Sequence, residues 1–213
     1  PFLSFFMARV CQNVRPRRRV FLKNNLGLFL AKRAHLNPSL EAFIDTHSER
    51  RFSFAELDAR ANRTANFLAR ELGVRKGDRV GLLLMNSPEF MESFFAIAKI
   101  GAVCVPLNWR LVADELQFIL KDAGATVLIY GGEFGKTVGE LELRGAGTDV
   151  KHWVHVGGAE SRAGFAKDYD ALQGAALASS PEVTACDDDL LYIMYTSGTT
   201  GLPKGAMHTH STA

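Results

Sequence analysis

Residues 195–205, which read YTSGTTGLPKG, hold the side chains of this chain best suited to chemistry. They combine three glycines, four Ser/Thr hydroxyls and one lysine in a single short stretch. Gly198, Gly201 and Gly205 have no Cβ, so the backbone can turn sharply and bring its N–H groups close to an anion. The hydroxyls of Thr196, Ser197, Thr199 and Thr200 add donors, and Lys204 adds a full positive charge. The chemistry this composition fits is the holding of a polyphosphate. Directly upstream, Leu190, Leu191, Tyr192, Ile193 and Met194 run without polar alternation, as expected of a parallel strand buried on both faces. A buried strand that empties into such a loop is a common way to build a phosphate site.

Other phosphate motifs do not fit these letters. A G-x-x-x-x-G-K-[ST] loop needs Gly before its Lys and Ser or Thr after it, whereas Lys204 stands between Pro203 and Gly205. Gly145 and Gly147 begin a G-x-G-x-x-G pattern, and Val150 ends it. A flexible Gly/Ser/Thr linker would bind nothing. Linker composition does not account for Pro203 and Lys204 at fixed places, or for the apolar strand in front of them.

The loop resembles the phosphate-binding loop of the acyl-adenylate-forming superfamily, which includes acyl-CoA synthetases, firefly-type luciferases and peptide-synthetase adenylation domains. Ser197, Gly198, Thr200, Gly201, Pro203, Lys204 and Gly205 all fall where that loop has them. Residues 101–111, GAVCVPLNWRL, resemble a stretch these enzymes carry upstream of the loop. Asn108, Trp109 and Arg110 are closer to fatty-acyl and aryl-acid CoA ligases than to peptide-synthetase domains. The resemblance covers residue 25 onward and leaves residues 1–24 outside it.

The resemblance implies an ATP-dependent carboxylic acid–CoA ligase working through an acyl-adenylate, with ATP, Mg2+ and coenzyme A as cofactors and a small carboxylic acid as partner. An aryl-acid ligase, another adenylating enzyme, or a nucleotide-binding fragment without turnover are the alternatives. Thr196, Ser197, Gly198, Thr199, Thr200, Gly201 and Lys204 are the implied cofactor-binding residues, with no metal ligand among them. The family's adenine, ribose and C-terminal lysine elements lie further along its enzymes, so the catalytic residues are expected downstream of Ala213. Residues 25–213 therefore read as a truncated N-terminal AMP-binding domain, expected to be inactive alone.

Other residues carry weaker signals. His208 and His210 share a face if residues 206–210 are extended, but two ligands without a nearby carboxylate or Cys make a poor metal site, which favours a structural role. His152 and His155 fall on opposite faces of a strand. Phe90, Phe94 and Phe95 form a helical aromatic stripe of the kind that usually belongs to a core. Trp109 beside Arg110 fits either a ligand contact or packing.

The elements that must position the loop alternate between strand and helix after residue 40, which predicts an α/β fold of mostly parallel strands flanked by helices. Residues 41–45 and 51–52 read as a hairpin. Ser53 and Glu56 form a capping box, followed by Leu57, Ala61, Ala65, Leu68 and Leu72 at helical spacing and a stop at Gly73. A strand over 79–85 leads to Ser87 and Pro88 at a second helix start, ended by Gly101. A strand over 102–107, a helix through Leu116, Ile119 and Leu120 stopping at Gly124, and a strand over 126–130 complete a βαβαβ unit. Residues 131–148 read as an exposed helix with loops, 150–156 as a strand, and 157–181 as a mostly surface connection.

At 213 residues with 47% hydrophobic side chains, the chain can bury one sizeable core. Net charge is +2, unevenly spread: the first 40 residues hold eight of the 25 basic residues and no acid, leaving 17 basic against 23 acidic in the rest. That balance does not suit nucleic-acid binding by the body of the protein. Cys11, Cys104 and Cys186 are too far apart for a zinc spacing or a disulfide framework, which points to a reducing, cytoplasmic setting. The Arg cluster at 15–19 suits a membrane-surface patch or a mitochondrial transit peptide, and residues 1–6 also read as sequence upstream of a start at Met7.

Overall fold

The computed structural model describes residues 25–46, 48–182, 185–196 and 202–213. After helix α1 (Gly27–Leu36), strands β1 (Glu41–Ile44) and β2 (Arg51–Ser53) form an antiparallel hairpin. Helix α2 (Phe54–Arg70) starts at the capping box: the Glu56 amide donates to Ser53 Oγ at 3.3 Å, and the Ser53 amide donates to the Glu56 carboxylate at 2.8 Å. Leu57, Ala61, Ala65 and Leu68 are buried along its inner stripe. Hairpin and helix close over a small cluster in which Phe43, Phe52 and Phe95 pack on Leu30, Leu57 and Ala61.

Strands β3 (Arg79–Leu83), β4 (Val103–Pro106), β5 (Ala125–Gly131), β6 (His152–Val156), β7 (Lys167–Asp168), β8 (Leu190–Thr196) and β9 (Lys204–Thr209) make one sheet in the order β7-β6-β5-β3-β4-β8-β9. All neighbours are parallel except β8 and β9. Side chains alternate across it, as the two-residue period of a strand requires. Val80, Cys104, Val127 and Val154 face α2, α3 (Pro88–Lys99) and α6 (Tyr169–Ala175), while Leu83, Val105, Leu128 and Trp153 face α4 (Ala113–Ala123) and α5 (Gly135–Leu143). Ser87 caps α3, with the Phe90 amide donating to its Oγ at 3.2 Å. Gly101, at φ +71°, turns the chain from α3 into β4.

One expectation needs an addition and another a correction. The segment 157–181 contains α6, whose Tyr169 is fully buried and whose Gln173 is nearly so. Tyr169 Oη donates to Glu92 at 2.8 Å, and Gln173 Nε2 donates to Glu92 and to Thr64 Oγ1, each at 2.9 Å. Arg60 Nε reaches the same carboxylate at 2.5 Å. Burial lifts the Glu92 carboxyl above its ordinary value, against the lowering pull of Arg60, Tyr169 and Gln173. This buried polar knot fastens α6 to α2 and α3, and hydrophobic periodicity gives no sign of it. Second, β8 is not buried on both faces: Leu191 is buried, whereas Met194 and Thr196 are exposed. The strand pairs parallel to β4 only around Cys104 and Tyr192, and its other neighbour is the exposed β9 rather than another covered strand.

Candidate functional site

Strands β4 and β8 run side by side, with β8 extending past the end of β4, and ligands of open α/β sheets bind outside such carboxyl ends. The end of β4 continues into Leu107, Asn108 and Leu111, and the end of β8 into the hydroxyl- and glycine-rich stretch. A cleft of about 140 Å3 opens between them. Pro106, Asn108, Glu115, Tyr195, Thr196 and Pro203 are among its lining residues. The two motif stretches that are far apart in sequence thus share one cleft. Glu115 accepts a hydrogen bond from the Val112 amide at 3.1 Å, which fixes the first turn of α4 against this wall.

Of the seven site residues expected from the sequence, Thr196 and Lys204 are placed by the structure. They are cross-strand partners at the open end of the β8–β9 hairpin, and both are exposed. Ser197, Gly198, Thr199, Thr200 and Gly201 lie outside the described residues. Ala213, beyond which the catalytic residues are expected, is exposed, follows β9 and does not line the cleft. No described residue up to Ala213 is assigned a catalytic role; the cleft offers a binding wall. Lys204 forms no ion pair with any described residue. Its neighbour Gly205 sits where a Cβ would meet Ile193 Cγ2 at 2.8 Å and Tyr195 Cζ at 3.0 Å, so a larger residue there would force those side chains to shift. Tyr195 Oη donates to Asp122 Oδ2 at 2.6 Å, and burial and then this carboxylate push the phenol above its ordinary value.

A model of the AMP-binding enzyme family matches residues 30–213. The chain belongs to this family. It is 44% identical over 188 residues to the long-chain-fatty-acid–CoA ligase FadD13 of Mycobacterium tuberculosis (strain ATCC 25618 / H37Rv), covering 87% of this chain and 35% of the relative. Against the crotonobetaine/carnitine–CoA ligase of Salmonella typhi it is 37% identical over 187 residues, covering 86% of this chain and 34% of the relative. A solved anthranilate CoA ligase, AuaEII, in complex with anthranoyl-AMP superposes with a TM-score of 0.80 at 30% identity, covering 90% of this chain and 35% of that one. The chain thus spans about a third of the length of these curated relatives.

Within the AMP-binding fold the remaining sequence candidates find structural places. His208 stacks on Tyr192 with ring centroids 4.6 Å apart, and His210 Nδ1 accepts from the Leu26 amide at 3.1 Å. His155 is buried, with Nε2 3.1 Å from Ser161 Oγ. Among the described residues, no group of three or more His, Cys, Asp or Glu gathers as a metal centre would need. Phe90 and Phe94 pack on the core as expected, yet with Phe95, Tyr192 and Met194 they also line an open apolar groove of about 350 Å3. Arg110 lies over the exposed Trp109 ring at 4.4 Å. Cys104 and Cys186 are free thiols. No helix among the described residues is long and apolar enough to cross a membrane. Sequence reasoning missed Asp122, since nothing in its surroundings links it to a tyrosine 73 residues away.

Proposed function

We propose that residues 25–213 form the N-terminal part of an ATP-dependent carboxylic acid–CoA ligase. The substrate carboxylate attacks the α-phosphorus of ATP, giving an acyl-adenylate and pyrophosphate. The thiol of coenzyme A then attacks the acyl carbon, and AMP leaves with the bonding pair. Phosphoryl-type displacement needs alignment and charge neutralisation more than covalent help. Thr196, Ser197, Gly198, Thr199, Thr200, Gly201 and Lys204 hold the β- and γ-phosphates that depart as pyrophosphate. Lys204, at the mouth of the hairpin, supplies the compact charge. Mg2+ accompanies ATP as counter-ion to its phosphates and is assigned no ligand here.

The observation that carries this reading is the shared cleft. The Asn108 stretch and both stems of the phosphate loop line one cavity at the carboxyl ends of β4 and β8. The names of the relatives favour an aliphatic or fatty acid, with an aryl acid as second reading because the solved anthranilate ligase shares the fold at 30% identity. A cytoplasmic setting and a peripheral membrane contact through residues 1–24 belong to the same proposal, with no nucleic-acid partner. The test is acid-dependent ATP–pyrophosphate exchange by the complete polypeptide that carries this sequence, over a panel of fatty, short aliphatic and aryl acids. Exchange with no acid in the panel, alongside nucleotide-dependent thermal stabilisation, would reduce the protein to a nucleotide-binding module.

A further inference from the structure

Tyr195 is the last residue of β8 before Thr196, and its strand partner across the hairpin is Gly205, the residue after Lys204. Its ring lies against the Gly205 backbone, with Cζ 3.0 Å and Cε1 3.3 Å from where a Gly205 Cβ would stand. One side chain therefore touches both stems of the phosphate loop. The ring also packs on the apolar cluster between the sheet and α4. Its hydroxyl is not needed for that packing. It reaches out to Asp122 Oδ2 at 2.6 Å, the short distance of a hydrogen bond to an ionised acceptor.

Asp122 is well placed to act as an anchor. It is the penultimate residue of α4, whose end is fixed by Gly124 at φ +61° and by Arg79 Nε donating to the Ala123 carbonyl at 2.7 Å. The same helix supplies Glu115 and Ile119 to the cleft wall. The bond between Tyr195 and Asp122 thus sets the loop stems in register with the wall they face. Being exposed, it contributes little to global stability, and its value lies in orientation.

We propose that Asp122, acting through Tyr195, is a positioning residue for the phosphate loop. This rests on the reading of that loop as the triphosphate site. The experiment separates the two half-reactions in the complete polypeptide. Tyr195→Phe and Asp122→Ala are each expected to slow pyrophosphate exchange on the order of tenfold, the size of a lost hydrogen bond to a charged group. The double variant should be no worse than either single one. Asp122→Asn, which keeps an acceptor, should restore most of the rate. Thioester formation from pre-made acyl-adenylate should stay near wild type in all four. Lys204→Ala serves as the control for the underlying reading. If Lys204→Ala slows exchange while Tyr195→Phe and Asp122→Ala do not slow it, or slow it additively, or slow both half-reactions alike, the positioning role is overturned and the loop assignment stands. If Lys204→Ala leaves exchange intact, the loop assignment itself falls.

Discussion

Cys104 on β4 and Tyr192 on β8 are direct partners in the parallel sheet. This contact joins the GAVCVPLNWRL stretch to the strand that feeds the proposed phosphate loop, and so brings two distant motifs to one cleft. Cys104 is fully buried, and burial drives its thiol far above the ordinary value. It therefore acts as a small apolar side chain rather than a nucleophile. A larger residue at 104 would crowd α3 and the neighbouring Tyr192 on that face of the sheet, and so disturb the strand that leads to the loop. Cys104→Ser keeps the volume but buries a hydroxyl, while Cys104→Val adds bulk between β4 and α3. Cys104→Val is expected to weaken MgATP-dependent exchange more than Cys104→Ser, and equal rates for the two would argue against transmission from β4 to the loop.

Lys99 is 1% exposed, with Nζ donating to Asp58 at 2.5 Å and to Asn62 at 2.6 Å. Burial lowers its pKa, against the raising pull of Asp58. Removing one partner of a buried pair leaves an uncompensated charge, at a cost of about 3–5 kcal/mol. Asp58→Ala should therefore destabilise the α1–α3 layer by about that amount, whereas Lys99→Met, which removes the charge and keeps the volume, should cost far less. Native-state hydrogen exchange across α2 and α3 reads the difference. Equal losses of protection in the two variants would contradict the desolvation argument.

Glu92 carries the pH dependence of the other buried knot. Its folded pKa is raised, so its contribution to stability is fully present below the unfolded value and is lost as pH rises through the folded one. Arg60 holds that folded value down through a charge-assisted bond. In Arg60→Met the folded pKa climbs further, and the loss of stability should grow from mildly acidic to neutral pH. Thermal unfolding at pH 5 and pH 7.5, wild type beside variant, gives the answer. A deficit that is the same at both values would mean Arg60 acts through packing alone.

Much of this architecture was legible in the chain because local chemistry wrote it. The capping box at Ser53 and Glu56, Ser87 with Pro88, and the stops at Gly101 and Gly124 each mark a boundary through a backbone requirement that the structure meets. Helix α6 was not legible, because Tyr169 and Gln173 are buried for their hydrogen bonds to Glu92 and Thr64, and such a partner leaves no periodicity behind. Helix α1 was missed for a different reason: its N-cap position is Leu26, which has no capping side chain, and Asn25 one residue earlier accepts from the Gly27 amide at 2.7 Å instead. In the candidate site, the composition of residues 195–205 is what suggests the proposed phosphate role, while Tyr195 looked like one more apolar strand residue. Its bond to Asp122 depends on how α4 lies on the sheet, which no short motif encodes.

His210 and Leu26 place the start of the described fold at the end of β9 away from the phosphate loop. The hairpin between them spans on the order of 20 Å at strand rise. If residues 1–24 form a membrane-surface patch, it joins the fold at a distance from the site. Each basic residue near an anionic surface contributes about 1 kcal/mol, screened by salt. Deleting residues 1–23 should reduce sedimentation with phosphatidylserine vesicles at low salt and leave exchange kinetics unchanged. Equal sedimentation of both forms would leave the segment without a membrane role.

Lys204 and Gly205 stand side by side at the stem of the loop and should fail in different ways. On the proposed reading, Lys204→Ala removes a charge-assisted contact to the departing pyrophosphate, worth about 1.5–3 kcal/mol. If that contact tightens as pyrophosphate leaves, the loss appears in kcat of adenylation, with the KM for ATP changing less. Gly205→Val instead drives its side chain into Ile193 and the Tyr195 ring, so β8 and β9 must separate and the loop loses its shape. That variant should raise the KM for ATP as well as lower kcat. Thioester formation from pre-made acyl-adenylate involves no pyrophosphate and should survive Lys204→Ala. Measuring the two half-reactions for both variants decides the matter: a Lys204→Ala enzyme that exchanges pyrophosphate at wild-type rate has its triphosphate site elsewhere.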